Sequence, residues 1–143
     1  MTGVNSMLTF KHGVHPEEYK HFTENCEVER MPFADEYVLP LGQHIGAPSK
    51  AIVEIGQKVK RGQKIAEPGS FVSVALHSPV DGRITDIRLA ENPNGQMAQC
   101  IFIETDKYAP QLLEIRSPGN PDEMDLETFI ASIQEAGIVG LGR

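Results

Sequence analysis

The chain has 143 residues, of which 40% are hydrophobic and 23% charged, so it can bury a core of ordinary size without a metal ion or a disulfide framework. Its formal net charge of −7 disfavours nucleic acid and anionic lipid as partners, because both require a basic surface. No apolar run approaches the roughly 18–20 residues of a membrane span, and the N-terminus lacks the pattern of a signal peptide, which indicates a cytoplasmic location.

We predict four segments in this chain. They are a flexible arm over residues 1–9, a β-rich domain over 10–107, a linker over 108–120, and a helix with the start of a further domain over 121–143. The 13 glycines and 10 prolines favour many tight turns, as a β-rich domain requires. The polar stretch over residues 17–25 predicts one or two helical turns.

Short strands and glycine turns alternate in the first half of the domain. Tyr37-Val38-Leu39 lies between two prolines and predicts a strand, and a glycine-containing loop redirects the backbone before a second strand over residues 51–55. Gly56 and Gly62 flank a lysine-rich hairpin, where a positive φ costs glycine least. The sequence Ser-Pro-Val-Asp-Gly at residues 78–82 predicts another turn.

The second half of the domain repeats this pattern. Residues 83–89 predict a strand, but its three apolar residues do not share one parity, so a bulge is expected near Asp86. An Asn-Gly pair at residues 94–95 predicts a hairpin that leads into a closing strand over 99–104. The two halves therefore form loosely repeated strand–hairpin–strand units, as in a quasi-two-fold barrel-sandwich. The core candidates on the first of these strands are Ile84, Ile87 and Leu89.

A helix is predicted over residues 121–136. Asn120 supplies the N-cap, Pro121 the first turn and Glu123 the second half of a capping box, while Gly137 ends the helix. We predict that its apolar stripe packs on the barrel or across a dimer. The apolar, glycine-rich residues beyond it predict the entry to a further domain. The stripe consists of Leu126, Phe129, Ile130 and Ile133.

The order of these segments resembles the N-terminal region of RnfC, a subunit of the Rnf electron-transport complex. That family opens with Phe-x-Gly-Gly-(Ile/Val)-His-Pro, which residues 10–16 match except that His12 replaces the first glycine. Its string Pro-Leu-x-Gln-His-Ile-Gly-Ala-Pro is matched by residues 40–48. Its segments Gly-x-x-Val-x-x-Gly-Gln and Pro-Asn-Gly are matched at residues 56–63 and 93–95.

The stretch over residues 53–82 also resembles the hammerhead of biotinyl and lipoyl carrier domains. Carrier domains present one lysine at an exposed hairpin, whereas the corresponding residues 67–71 contain none, so covalent lipoylation or biotinylation is disfavoured. Both resemblances imply a mainly β fold, namely a lipoyl/biotinyl-like barrel-sandwich hybrid with a short C-terminal α-helix.

The resemblance to RnfC implies a role in membrane-associated electron transport. In that family the FMN and two 4Fe–4S clusters belong to domains that this chain is expected to lack, so no cofactor is expected here. We expect a non-catalytic scaffold or docking domain, in a truncated or stand-alone form, peripheral at the inner face of the cell membrane. Two alternatives stay open: part of the active surface of an NADH-dependent oxidoreductase, or an unmodified carrier-like interaction module.

No catalytic or metal site is predicted. Cys26 and Cys100 are too few for an iron–sulfur cluster, which needs about four thiolates, and are expected to be buried or half-buried thiols. A second set of residues has suitable types for zinc, but its spacing fits no compact site: His12, His15, His21 and Cys26.

Five polar residues are the candidates for a contact surface. His44 and His77 adjoin strand ends and would face a neighbouring domain or a partner subunit; alternatively, each imidazole satisfies backbone groups of its turn. The basic hairpin would dock a partner, or is simply solvated. Other subunits of a redox complex are the expected partners, with a homodimer through the C-terminal helix as the alternative. The candidates are Gln43, His44, His77, Lys58 and Arg61.

Overall fold

The computed structural model describes residues 16–113 and 119–140. The chain divides into two units, Met1–Met31 and Pro32–Arg143. In the described part of the first unit, one 3₁₀ turn, Lys20–Phe22, confirms the predicted helical turn, and every side chain is exposed. The predicted arm and two of the candidate zinc ligands, His12 and His15, lie outside the described residues.

The described part of the second unit is mainly β with a short C-terminal helix, as predicted. Its strands are β1 (Glu36–Pro40), β2 (Lys50–Ala51), β3 (Lys58–Val59), β4 (Lys64–Glu67), β5 (Leu76–His77), β6 (Gly82–Glu91) and β7 (Met97–Thr105). They form two antiparallel sheets with the orders β1-β7-β6-β3 and β2-β4-β5. Each half of the domain contributes strands to both sheets, as a pair of repeated units would.

Branched aliphatic side chains from both sheets form the core. Ile84 on β6 lies directly opposite Ile103 on β7, and both are fully buried. Ile65 on β4 supplies a fully buried side chain from the other sheet. Each such side chain contributes about 1.5–3 kcal/mol when removed from water, so the core between the two sheets is the main source of stability.

The predicted bulge is confirmed, since the pairing of β6 with β7 shifts between Ile84 and Asp86. Beyond the bulge, Ile87 lies opposite Ile101 and packs against the core. The prediction that Leu89 belongs to the core is wrong, because 62% of its surface is exposed. Leu89 has the same parity as Ile87, but it pairs with Gln99 near the turn of the β6–β7 hairpin.

The lysine-rich segment between Gly56 and Gly62 is not a hairpin of two paired strands, because β3 pairs with β6 whereas β4 pairs with β2 and β5. The predicted glycine positions at its two ends are confirmed. Gly56 and Gly62 have φ values of 88° and 82°, which favour glycine. The preceding strand is shorter than predicted, because β2 ends at Ala51. The Ile52 N–H still donates to the Ile65 carbonyl oxygen of β4 (3.0 Å). A turn then takes the chain away, in which the Gln57 N–H donates to the Glu54 carbonyl oxygen (3.1 Å).

The helix α1 (Leu126–Glu135) begins five residues later than predicted. Asn120 caps a separate 3₁₀ turn, Pro121–Glu123, and the chain then extends before Asp125 caps the α-helix. Hydrogen bonds from the Thr128 backbone N–H and hydroxyl lower the pKa of the Asp125 carboxyl below its usual value.

The predicted glycine at the helix end is confirmed. Gly137 has a φ of 73°, and its N–H donates to the Gln134 carbonyl oxygen (3.2 Å). The Ile138 N–H donates to the Ile133 carbonyl oxygen (3.2 Å). These two bonds define a Schellman motif, which satisfies the last helical carbonyl groups.

Candidate docking surface

The five predicted contact residues fall into separate regions of the second unit. Gln43 and His44 lie in the loop between β1 and β2, and His77 lies in β5. Lys58 lies in β3, and Arg61 lies in the turn that leads to β4. His44 and His77 both adjoin the C-terminal end of α1, whereas the two basic residues line other clefts.

His44 joins two loops. Its Nε2 atom lies 3.1 Å from the Ala47 carbonyl oxygen and 3.1 Å from the Ser73 hydroxyl oxygen, which also accepts a hydrogen bond from the Gly69 N–H (2.9 Å). A carbonyl oxygen can only accept, so Nε2 carries the hydrogen. The Nδ1 atom is buried without a partner among the described residues. This geometry favours the alternative in which the imidazole satisfies loop groups and thereby shapes the surface.

A close backbone approach holds the same two loops together. The Ala47 N–H donates to the Val72 carbonyl oxygen (3.0 Å). Gly46 has a φ of 117°, and a Cβ atom at this position would overlap that carbonyl oxygen. The glycine of the Gln-His-Ile-Gly-Ala-Pro string is therefore required for packing against residues 71–73.

Gln134 binds the C-terminal end of α1 to these loops. No motif in the sequence pointed to this residue. Its Nε2 atom donates to the Ser73 carbonyl oxygen (2.8 Å), and its backbone carbonyl oxygen accepts from the Ala75 N–H (3.0 Å). An ion pair between Lys64 and Glu135 (2.7 Å) lies beside them. The C-terminal end of the helix therefore contacts the barrel through polar groups, and these contacts do not bury the apolar stripe that was predicted to pack there.

Much of the apolar stripe of α1 stays uncovered. Half of the surface of Ile130 and 73% of that of Leu126 are exposed. Together with the two loops, the helix end surrounds a cleft of about 380 Å³, which we call the apolar cleft. Phe71 and Ile45 are 93% and 90% exposed at its border, and no acidic or basic side chain other than His44 lines it among the described residues. Its apolar side chains include Ile45, Phe71, Val72, Ile130, Ile138 and Val139.

Two basic side chains of the lysine-rich segment contact their own chain. The Arg61 guanidinium donates to the Gln111 carbonyl oxygen (3.0 Å) and lies 5.2 Å from the ring centroid of Phe33. The Lys60 ammonium lies 3.6 Å from the buried carboxylate of Asp81. Arg61 is thus held by its own chain, whereas the Lys60 side chain is still 76% exposed and Lys58 is exposed.

Gln111 holds part of the predicted linker against the barrel. Its Oε1 atom accepts from the Asp81 N–H (2.7 Å), and its Nε2 atom donates to the carbonyl oxygens of Asp81 (3.1 Å) and Asp106 (3.0 Å). Its φ is 53°, an unfavourable value for a residue with a side chain. The three hydrogen bonds compensate for this strain.

Replacing Gln111 by alanine should lower the free energy of unfolding by about 1–3 kcal/mol, because the Asp81 N–H loses the Gln111 side chain as its acceptor. The Asp81 carbonyl oxygen keeps the hydrogen bond from the Asp106 N–H (2.9 Å). Gln111→Gly removes the same hydrogen bonds but tolerates the positive φ, so it should be less destabilising than Gln111→Ala by about 1 kcal/mol. Urea denaturation measures both values. Equal stability of the wild type and both variants would show that the side chain does not hold this segment.

The described residues contain no group of three or more metal-ligating side chains that could hold an ion. Cys100 is buried, as expected, whereas the expectation for Cys26 is wrong, because that thiol is exposed. No described helix is sufficiently long and apolar to cross a bilayer. The loop from Pro68 to Ala75, between β4 and β5, carries no lysine where carrier domains present one.

Two small antiparallel sheets around one aliphatic core define a member of the barrel-sandwich hybrid class. The sequence model of the family described as the RnfC barrel sandwich hybrid domain matches residues 8–108. This match confirms the predicted fold and the resemblance to RnfC. The chain belongs to this family.

Its relatives are RnfC-type subunits of ion-translocating complexes. The chain is 37% identical over 136 residues to such a subunit from the proton-translocating ferredoxin:NAD(+) oxidoreductase complex of Clostridium ljungdahlii, covering 95% of this chain and 30% of the relative. It is 36% identical over 140 residues to the corresponding subunit of the ion-translocating oxidoreductase complex of Rhodobacter capsulatus, covering 94% and 26%.

A third relative belongs to the Na(+)-translocating ferredoxin:NAD(+) oxidoreductase complex of Acetobacterium woodii. It is 33% identical over 134 residues, which cover 94% of this chain and 30% of the relative. The chain therefore spans less than a third of the length of these relatives.

Proposed function

We propose that this chain is a non-catalytic scaffold and docking domain of an Rnf-type electron-transport complex, peripheral at the cytoplasmic face of the membrane. Its partners are other parts of that complex. The names of the Clostridium and Acetobacterium relatives, both subunits of ferredoxin:NAD(+) oxidoreductases, support the electron-transport context. In this proposal residues 10–107 form the docking domain, and residues 121–143 lead into a flavin- and nucleotide-binding domain.

The observation that carries the docking role is the apolar cleft. Phe71 and Ile45 are almost fully exposed although they are large and apolar. They are not isolated on the surface but line the same concave apolar region. Contiguous exposed apolar surface of this kind marks interaction sites in proteins. The loops below it are fixed by His44, Gly46 and Gln134, so the surface is preformed.

The hydrogen bonds of His44 also support the non-catalytic part of the proposal. The Nε2 atom of His44 is engaged by a carbonyl oxygen and by Ser73, whose hydroxyl oxygen accepts a backbone hydrogen bond, so this pair is arranged to join loops. The alternative of a contribution to an NADH-dependent active surface predicts that the purified chain changes the intensity or the wavelength of NADH fluorescence. A docking domain should leave that fluorescence unchanged.

The docking role is tested by exchange of segments. In a chimera, this chain replaces the matched segment of the Clostridium ljungdahlii relative, and the chimera is expressed with the remaining subunits. We expect the chimera to co-purify with the complex, whereas the same relative with the segment deleted should not. Failure of a folded chimera to co-purify would contradict the docking role.

A flavin or iron–sulfur absorbance band in the purified 143-residue chain would contradict the non-catalytic assignment.

A further inference from the structure

We infer that the occupant of the apolar cleft is the remaining part of the RnfC-type polypeptide itself, rather than a membrane subunit, a lipid surface or a second copy of this domain. The inference rests on the proposed docking role and identifies its partner. The family match ends at residue 108, yet the match to the Clostridium relative covers 95% of the chain and so includes α1. The helix and the cleft beside it thus belong to the architecture of the longer protein.

The lining of the cleft indicates a protein occupant with an apolar, uncharged contact surface. No lysine, arginine or carboxylate lines the cleft among the described residues. Anionic lipid would require basic residues around the contact, and the chain carries a net charge of −7. A second copy would bring the same negative charge against its own, which opposes association. Neither argument disfavours a neighbouring domain of the same polypeptide.

The path of the backbone favours that neighbouring domain. After the Schellman motif at Gly137, the chain passes through Ile138 and Val139, and both side chains line the cleft. In a polypeptide of the length of the relatives, a following segment would continue from residues that line the cleft. A covalently attached segment has an effective concentration in the mM range, which exceeds that of any free partner in a cell. The tethered domain therefore occupies the surface first.

The size of the remaining part is sufficient for this role. The 136 matched residues represent 30% of the Clostridium relative, so more than two thirds of that polypeptide lies outside the match. An extended chain covers about 3.3–3.6 Å per residue, so a connection of a few residues after Val139, which lines the cleft, is long enough to bring a following domain to it. Burial of the exposed side chains of Phe71 and Ile130 would then stabilise the pair of domains.

Hydrogen exchange tests the inference. The 143-residue chain is compared with the chimera described above, and with the same chain mixed with the remainder of the Clostridium relative as a separate polypeptide. We expect backbone amides of residues 71–74 and 138–139 to exchange at least about tenfold more slowly when the remainder is present. Phe71→Asp should abolish this protection. The exchange of β6 and β7 reports that each protein is folded.

Tyr108→Asp is the matched control, because Tyr108 is an aromatic residue with 98% exposure that lies away from the cleft. It should leave the protection unchanged. Unchanged exchange in both formats would overturn the inference, while co-purification of the chimera would still uphold the docking role. Protection that depends on the concentration of the isolated chain would identify a second copy instead. Protection that appears only with the other subunits would identify one of them, and either result would overturn the inference.

Discussion

Gly82→Ala should destabilise the domain by about 3 kcal/mol or more, although alanine is the smallest possible change. Gly82 begins β6 and pairs with both β3 and β7. A Cβ atom at this position would overlap the Glu104 carbonyl oxygen and lie 3.0 Å from Cγ2 of Ile103. The carbonyl belongs to the sheet backbone and cannot rotate away, so the strands must separate locally.

Urea denaturation of the Gly82→Ala variant measures this effect. Gly42→Ala is the matched control, because the nearest atom to its added methyl group is Cγ of Pro48 at 4.0 Å. The control should change the free energy of unfolding by less than about 0.5 kcal/mol. If the two variants were equally stable, Gly82 in β6 would not approach the Glu104 carbonyl oxygen in β7 as closely as described.

Ile103→Ala should lower the free energy of unfolding by about 2–5 kcal/mol. Ile103 is fully buried in β7, between Tyr37 on β1 and Ile84 on β6, so its neighbours are fixed by two strand ladders. These backbones cannot move together to fill the space, and a cavity remains. Ile103→Val removes one methyl group and should cost about 0.5–1.5 kcal/mol.

The control for this pair is Leu89→Ala on the exposed part of β6. Leu89 is 62% exposed, so its truncation should change stability by less than about 0.5 kcal/mol. Thermal or urea unfolding of the three variants gives the ranking. A cost for Leu89→Ala as large as that for Ile103→Ala would show that the core extends along the whole of β6.

Local signals in this sequence predicted the turns well. Gly56 and Gly62 both have positive φ, and Gly95 in the Asn-Gly turn has a φ of 76°. The parity change along β6 also placed the bulge between Ile84 and Asp86. Each of these features depends on residues within a few positions of one another, so the sequence contains the whole cause.

The predicted start of the helix was wrong because the sequence offers two N-cap residues of equal quality. Asn120 and Asp125 are both good helix caps, and the structure uses the first for a 3₁₀ turn and the second for α1. The interpretation of Gly82 as a turn residue was also incomplete. This glycine is needed because a distant strand approaches it, and the partner Glu104 is 22 positions away.

By itself, the sequence determined the mainly β fold, the family and the absence of a lysine at the carrier hairpin. These follow from hydrophobic alternation, glycine positions and local motifs. Only the tertiary structure decided that Gln134 and His44 meet the loop before β5, and that an apolar cleft opens beside them. The physical reason is distance along the chain, since hydrogen bonds between residues 44 and 73, or 73 and 134, leave no periodic trace in sequence.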